Sequence, residues 1–183
     1  MIIFDFDGTL CDTTKAYIEA ARYAANEVLH QEIDQRKALL YAKTLELTNN
    51  YLKAFQKIFP QHPKEQRQPF FTCWAKAFDG YATQLLQPVP DARKVLSTLA
   101  KNYTLAVVSQ RHKPSLWLRA KLQEFQLGQF VEVCISRLDV HKGKPDPEGI
   151  YLAQSKTQAK ALLIIGDAEN DIRAGKRAQI YTI

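Results

Sequence analysis

Four short apolar runs recur along the chain, separated by stretches with helical spacing, and this alternation constrains the fold more than any other feature. The runs are residues 2–6 (IIFDF), 103–108 (YTLAVV), 131–135 (VEVCI) and 161–165 (ALLII), with 180–183 as a candidate fifth that is expected to be minimal. Residues 91–101, 114–127, 147–156 and 170–178 carry the helical pattern among them. Strands and helices alternating at these lengths predict an α/β fold: a Rossmann-like parallel sheet with helices on both faces. Right-handed crossovers place the loops after the strands on one edge of the sheet, where open α/β sheets take their ligands.

The alternation breaks between residues 13 and 87, where no run looks like a strand. TTKAYIEAARYAANEVLH, KALLYAKTLELTNNYLKAFQKIF and QPFFTCWAKAFDGYATQLL carry apolar residues at helical spacing, and Asp12 or Thr13 is expected to cap the first. The expected division is therefore a Rossmann-like α/β core of residues 1–12 and 88–183 with an inserted all-helical cap domain of residues 13–87. A chain of 183 residues is long enough for such a core with a modest insertion. The prolines of QPVPDARKVL stiffen the return to the core.

Composition narrows the partners. No apolar stretch approaches the roughly 20 residues a membrane helix needs, and the N-terminus shows no secretion signal. Cys11, Cys73 and Cys134 are odd in number and widely spaced, so free thiols in a reducing compartment, the cytoplasm, are expected. The net charge of +6 favours anionic partners. Without a dense basic run or aromatic-basic alternation, a solvated basic surface is expected rather than a nucleic-acid face.

The chemistry-bearing residues follow the strands. After the first come Asp5, Phe6, Asp7, Gly8 and Thr9; after the second, Ser109; after the third, Lys144; after the fourth, Asp167, with Asp171 one helical turn on. Carboxylates at the end of an apolar strand are costly unless compensated, so Asp5 and Asp7 either sit where the strand leaves the core or hold a cation. Four carboxylates, a lysine and a hydroxyl converging on one sheet edge make a site for a hard cation and an anion. Oxygen-only ligands suit Mg²⁺ better than zinc or copper.

With DFDGTL at the start, a strand ending in Ser109, GKPDP carrying Lys144 and GDAEND near the end, the whole chain resembles the haloacid dehalogenase superfamily. The helical insertion resembles the cap of many members, and the likeness points to the phosphoglycolate phosphatase-like branch. The resemblance implies that Asp5 is a nucleophile forming an aspartyl-phosphate; a carboxylate is already ionised at neutral pH. Asp7 would protonate the leaving group and then activate water. Mg²⁺ would be held by Asp5, the backbone carbonyl of Asp7 and Asp167, with Asp171 assisting directly or through water. Lys144 would place positive charge between Asp5 and the phosphate. Ser109 and the backbone N–H groups of Gly8 and Thr9 would bind phosphoryl oxygens. Members that cleave carbon–halogen or carbon–phosphorus bonds usually lack aspartate at the position of Asp7, which favours phosphate esters here. The implied function is a Mg²⁺-dependent phosphatase acting on a small phosphorylated metabolite. A phosphomutase of the same fold and a non-catalytic phosphate-binding or interaction module are the alternatives.

Other residues near the motifs have plainer expectations. Asp12 is a helix cap, Lys142 a rim charge, Glu169 a surface residue at a helix start, and Cys11 a small packing residue. His112 and His141 face solvent, and Trp74 and Trp117 belong to cores. Asp171 is divided between a hydrogen bond to the preceding loop and the metal. Where the superfamily often has asparagine after the serine, this chain has Gln110, read as neutral. Arg111 is either an exposed arginine or one that reaches a second anionic group of the substrate.

Overall fold

The structure, a computed structural model, describes residues 1–45 and 50–183 in full and the backbone of 46–48. Along the chain, β1 (Ile2–Phe4) and β2 (Cys11–Asp12) precede α1 (Thr14–Leu29), α2 (Gln35–Thr48), α3 (Tyr51–Ile58) and α4 (Arg67–Leu85). Then follow β3 (Gln87–Pro88), α5 (Ala92–Leu99), β4 (Leu105–Val108), α6 (Ser115–Glu124) and β5 (Val133–Ile135). The chain finishes with α7 (Glu148–Thr157), β6 (Leu163–Ile165), α8 (Glu169–Arg177) and β7 (Tyr181–Thr182). Two compact units result, Met1–Asp12 with Gln87–Ile183, and Thr13–Leu86.

The first unit is the α/β fold. Its sheet has the order β5-β4-β1-β6-β7, and every neighbouring pair is parallel. Ile3, Ala106, Val108, Ile135 and Ile164 pack with Ile150 and Ala153 of α7 and Ala174 of α8. The alternate residues Ile2, Phe4, Leu105 and Val107 are buried as well. Cover on both faces explains why these strands are unbroken apolar runs, since burying each such side chain contributes about 1.5–3 kcal/mol. β4, β5 and β6 each begin two residues later than their apolar runs. The leading residues keep single bonds to their neighbours, such as Ile2 N–H to the Thr104 carbonyl at 2.9 Å. β1 ends at Phe4 rather than at Phe6, because the Phe6 carbonyl accepts the N–H groups of Leu10 and Cys11, at 3.0 and 2.9 Å, and turns the chain.

A small antiparallel ladder escaped the sequence reading. β2 pairs with β3, Cys11 opposite Pro88 and Asp12 opposite Gln87. Val89 N–H adds a bond to the Leu10 carbonyl at 3.0 Å. Asp12 is therefore a strand residue, a correction to its expected capping role, and Thr13 takes the N-cap position of α1.

The second unit is helical throughout its named elements. The expectation of one helix through residues 37–59 gives way to α2 and α3, and its residue Asn49 lies outside the described residues. Asn50 starts α3, its side chain accepting Lys53 N–H at 3.0 Å, and Asp34 does the same at the head of α2 for Lys37 N–H at 2.7 Å. Side-chain oxygens at these positions satisfy amide groups that the first turn leaves without partners. The core gathers Tyr41, Phe55, Phe59, Phe70 and Trp74, with the Tyr41 and Phe70 rings edge-to-face at 5.0 Å. Trp74 is thus a core residue.

Tyr41 is fully buried, yet its hydroxyl finds no hydrogen-bond partner among the described residues. Burial also pushes its ionisation upward. A buried hydroxyl left unpaired costs about 1–3 kcal/mol. Tyr41→Phe is accordingly expected to raise unfolding stability by about 1 kcal/mol, read as a higher urea midpoint at unchanged slope. A lower midpoint would mean that the hydroxyl is satisfied in solution. No helix among the described residues is long and apolar enough to cross a membrane.

Candidate active site

The carboxyl ends of β1, β4, β5 and β6 deliver side chains to one edge of the sheet, as right-handed parallel crossovers require. Asp5 leaves β1 still joined to the sheet through its N–H and the Ile165 carbonyl at 2.8 Å. Lys144, from the loop after β5, donates from Nζ to Asp5 Oδ1 at 2.7 Å and to Asp171 Oδ1. The other oxygen of Asp171 accepts Ala168 N–H at 3.2 Å. Asp171 thus serves the loop and the lysine at once. Thr9 Oγ1 donates to Asp167 Oδ1 at 3.2 Å, which anchors the β1 turn to the β6 loop.

Gly8 makes this closeness possible. Its φ of +79° is one that L side chains rarely adopt, and a Cβ there would overlap the Asp167 carboxylate. Its N–H donates to the Cys11 carbonyl at 2.8 Å. Gly8 therefore contributes the turn, and its amide is engaged there rather than offered to a phosphate as expected. Ser109 Oγ accepts Arg111 N–H at 3.0 Å, an arrangement that leaves the hydroxyl proton for another acceptor.

One lysine faces several acids. Burial pushes the Asp171 carboxyl up to about 6; Asp5 adds to the rise and Lys144 opposes it. Asp167 is raised by burial and then by Asp5. Burial alone would lower Lys144, but Asp5 and Asp171 outweigh it and hold the ammonium above its usual range. Oxygens of Asp5, Asp167 and Asp171 all lie within 4.8 Å of one another. Such an oxygen-only, partly buried set with surplus negative charge has the chemistry of a hard divalent cation site.

The Asp7 carboxylate is outside that triad and has its own partner. Arg111 Nε donates to Asp7 Oδ2 at 3.1 Å, and Nη2 donates to Oδ1. Burial raises the Asp7 carboxyl, against the pull of Arg111. The guanidinium lies 5.1 Å from the centre of the Trp117 ring, whose own edge-to-face partner is Phe6 at 6.2 Å. Arg111 is therefore buried and not an exposed arginine. Half-buried Trp117 is the surface beneath it.

Two further residues shape the lysine loop without having been singled out for it. Gln110 Nε2 donates to the Lys144 carbonyl. Glu148 accepts the N–H groups of His141 and Lys142, at 2.9 and 2.8 Å, and these bonds hold its carboxyl below the usual range. The only hint in the sequence was the polar run QRHK after β4. His112, His141 and Lys142 are exposed, as is Glu169, which pairs with Arg173 at 2.6 Å. Cys11 is buried and its thiol is pushed up to about 12, fitting an unreactive packing residue.

Comparison with known proteins agrees with this architecture. Residues 2–183 match the family described as haloacid dehalogenase-like hydrolase. The pyrophosphatase PpaX of Listeria welshimeri is 30% identical over 183 residues, covering 99% of this chain and 80% of that protein. The pyrophosphatase PpaX of Halalkalibacterium halodurans is 26% identical over 184 residues, covering 99% of this chain and 80% of its own. Among solved structures, a haloacid dehalogenase-like hydrolase from Streptococcus pneumoniae superposes with a TM-score of 0.75 at 18% identity, covering 99% of this chain and 81% of its own. A subfamily IA hydrolase from Geobacter sulfurreducens gives 0.72 at 19% identity, covering 99% and 84%.

Proposed function

The chain belongs to the haloacid dehalogenase-like hydrolase family, and from that premise we propose a Mg²⁺-dependent phosphatase that hydrolyses a small phosphomonoester through an aspartyl-phosphate on Asp5. The observation that carries this reading is the buried Lys144 bridging Asp5 and Asp171, with Asp167 beside them. An ionised carboxylate opposite a fixed ammonium is a ready nucleophile toward a phosphate dianion. In this reading Met1–Asp12 with Gln87–Ile183 is the catalytic core and Thr13–Leu86 is a cap, the expected boundary moving by one residue because Gln87 pairs with Asp12.

Asp5 attacks phosphorus, a new P–O bond forms, and the bond to the leaving oxygen breaks. Asp7 gives its proton to that oxygen. Water then attacks the aspartyl-phosphate, Asp7 takes the proton back, and inorganic phosphate leaves with Asp5 restored. Ser109 donates its hydroxyl proton to a phosphoryl oxygen, and Lys144 offsets the charge gathering between Asp5 and the phosphoryl group. Asp5, Asp167 and Asp171, with the Asp7 backbone carbonyl, would hold Mg²⁺, which when bound clamps phosphoryl oxygens and offsets their charge.

A panel of sugar phosphates, phosphoglycolate, nucleotides and inorganic pyrophosphate, assayed for phosphate release with Mg²⁺ and with EDTA, tests the proposal. Metal-dependent release from a monoester is expected; release from none of them, or release unaffected by EDTA, overturns it. Pyrophosphate is a second reading, favoured by the relatives named pyrophosphatase, and at least tenfold preference for it would select that reading.

The acid cluster sets a pH dependence. Asp171, raised to about 6 from an ordinary 3.8, binds a proton more readily in the folded chain. That contribution to stability is present at low pH and is lost as pH rises through about 6. Holding Mg²⁺ through Asp171 would require the release of the same proton. Its affinity is therefore expected to level off above neutrality and to fall towards about tenfold per pH unit in acid. Calorimetric titration from acid to neutral pH checks this; a flat affinity would show Asp171 already ionised.

A further inference from the structure

Asp7 carries a short side chain on a turn, and that side chain is 22% exposed. Nothing in the turn itself fixes the plane of its carboxyl group. The fixing comes from 104 residues away, where Arg111 engages both of its oxygens.

We propose that Arg111, seated on the face of Trp117, is a positioning residue that sets the Asp7 carboxyl for proton exchange with the leaving group, an inference that rests on the acid and base role given to Asp7 above. Three observations support it. Arg111 is anchored at its root, because its N–H donates to Ser109 Oγ at 3.0 Å. Its guanidinium is confined over Trp117, which meets the fully buried Phe6, the residue between Asp5 and Asp7. Its side chain is only 3% exposed, so the pair is not one of the surface ion pairs that contribute little.

The chemistry of the fork fits the task. A guanidinium donating two parallel bonds takes one lone pair from each carboxylate oxygen and leaves another on each for a substrate proton. It also fixes a plane, which the point charge of a lysine cannot do. Misplacing a reacting group by about 1 Å can cost about a hundredfold in rate.

The test is the dependence of kcat/KM on the leaving group, from nitrophenyl phosphate to simple alkyl phosphates, because only basic leaving oxygens need the proton. Wild type should show a shallow dependence and Asp7→Asn a steep one. Arg111→Met and Arg111→Lys should both follow Asp7→Asn. They should lose about a hundredfold in kcat/KM on alkyl esters and only a few fold in kcat/KM on the nitrophenyl ester, while kcat falls for both because hydrolysis of the aspartyl-phosphate also uses Asp7. Trp117→Leu, which keeps the arginine but removes its seat, should fall between and carries the test if the arginine variants do not fold. Uniform loss of kcat/KM across all leaving groups would make Arg111 merely structural, and a raised KM with kcat unchanged would make it a substrate contact; either overturns the proposal. If Asp7→Asn itself shows no steepening, the role assigned to Asp7 fails first, and the proposal falls with it.

Discussion

Asp5→Asn is expected to lower kcat for phosphate release by about four to six orders of magnitude, the scale seen when a covalent nucleophile is removed. The amide has nearly the same shape but carries no charge and cannot form the aspartyl-phosphate. Its carbonyl oxygen can still accept from Lys144 Nζ, which stands at 2.7 Å from the present carboxylate oxygen. The fold should therefore survive, with a melting temperature equal to or above that of the wild type, because Asp5 is also a like charge pressing on Asp167 and Asp171. Loss of activity with the melting temperature preserved is the signature of a chemical role. Activity within tenfold of wild type would remove Asp5 from the mechanism.

Lys144→Met is expected to have the second largest effect, and it differs by touching stability as well. The Lys144 side chain is 4% exposed, and its ammonium pairs with two carboxylates. Removing one partner from a buried charge cluster costs about 3–5 kcal/mol. That loss should be greatest in EDTA at neutral or higher pH, where Asp5, Asp167 and Asp171 are left to repel one another. It should shrink with Mg²⁺, and shrink again below pH about 6, where Asp171 takes up a proton. Activity at saturating Mg²⁺ should still fall by about two to four orders of magnitude, since the cation would not replace the donor that the proposed mechanism directs at Asp5 and the phosphate. Unfolding midpoints measured with and without metal separate the two contributions. Equal destabilisation under both conditions would show that metal and lysine do not share the cluster.

The sheet was legible in the sequence because strands covered on both faces appear as apolar runs, and Ile2 to Phe4 and Leu105 to Val108 are buried at every residue. Their ends were not, because burial alone does not tell Phe6 in a turn from Phe4 in a strand. The start of α3 was legible in principle, since Asn50 is a capping residue, but the helical spacing on both sides masked it. β2 and β3 left no trace, as two residues are too few to show a period. Near the site, the motif residues Asp5, Lys144, Asp167 and Asp171 were singled out by their place after the strands. The Arg111–Asp7 pair and the Gln110 bond to the Lys144 carbonyl were not, because contacts between distant side chains leave no mark in one sequence.

The β2–β3 ladder has a consequence for how freely this chain can vary. Asp12 and Gln87 face each other, so the chain departs from the α/β unit and rejoins it at adjacent backbone positions. Everything from Thr13 to Leu86 is an excursion between two fixed posts, and the cost of joining its ends grows only slowly with its length. The insert can thus be lengthened, shortened or exchanged without moving β1 or the loop that begins α5. A gene encoding this chain could alter its helical segment wholesale while the residues around Asp5 keep their places.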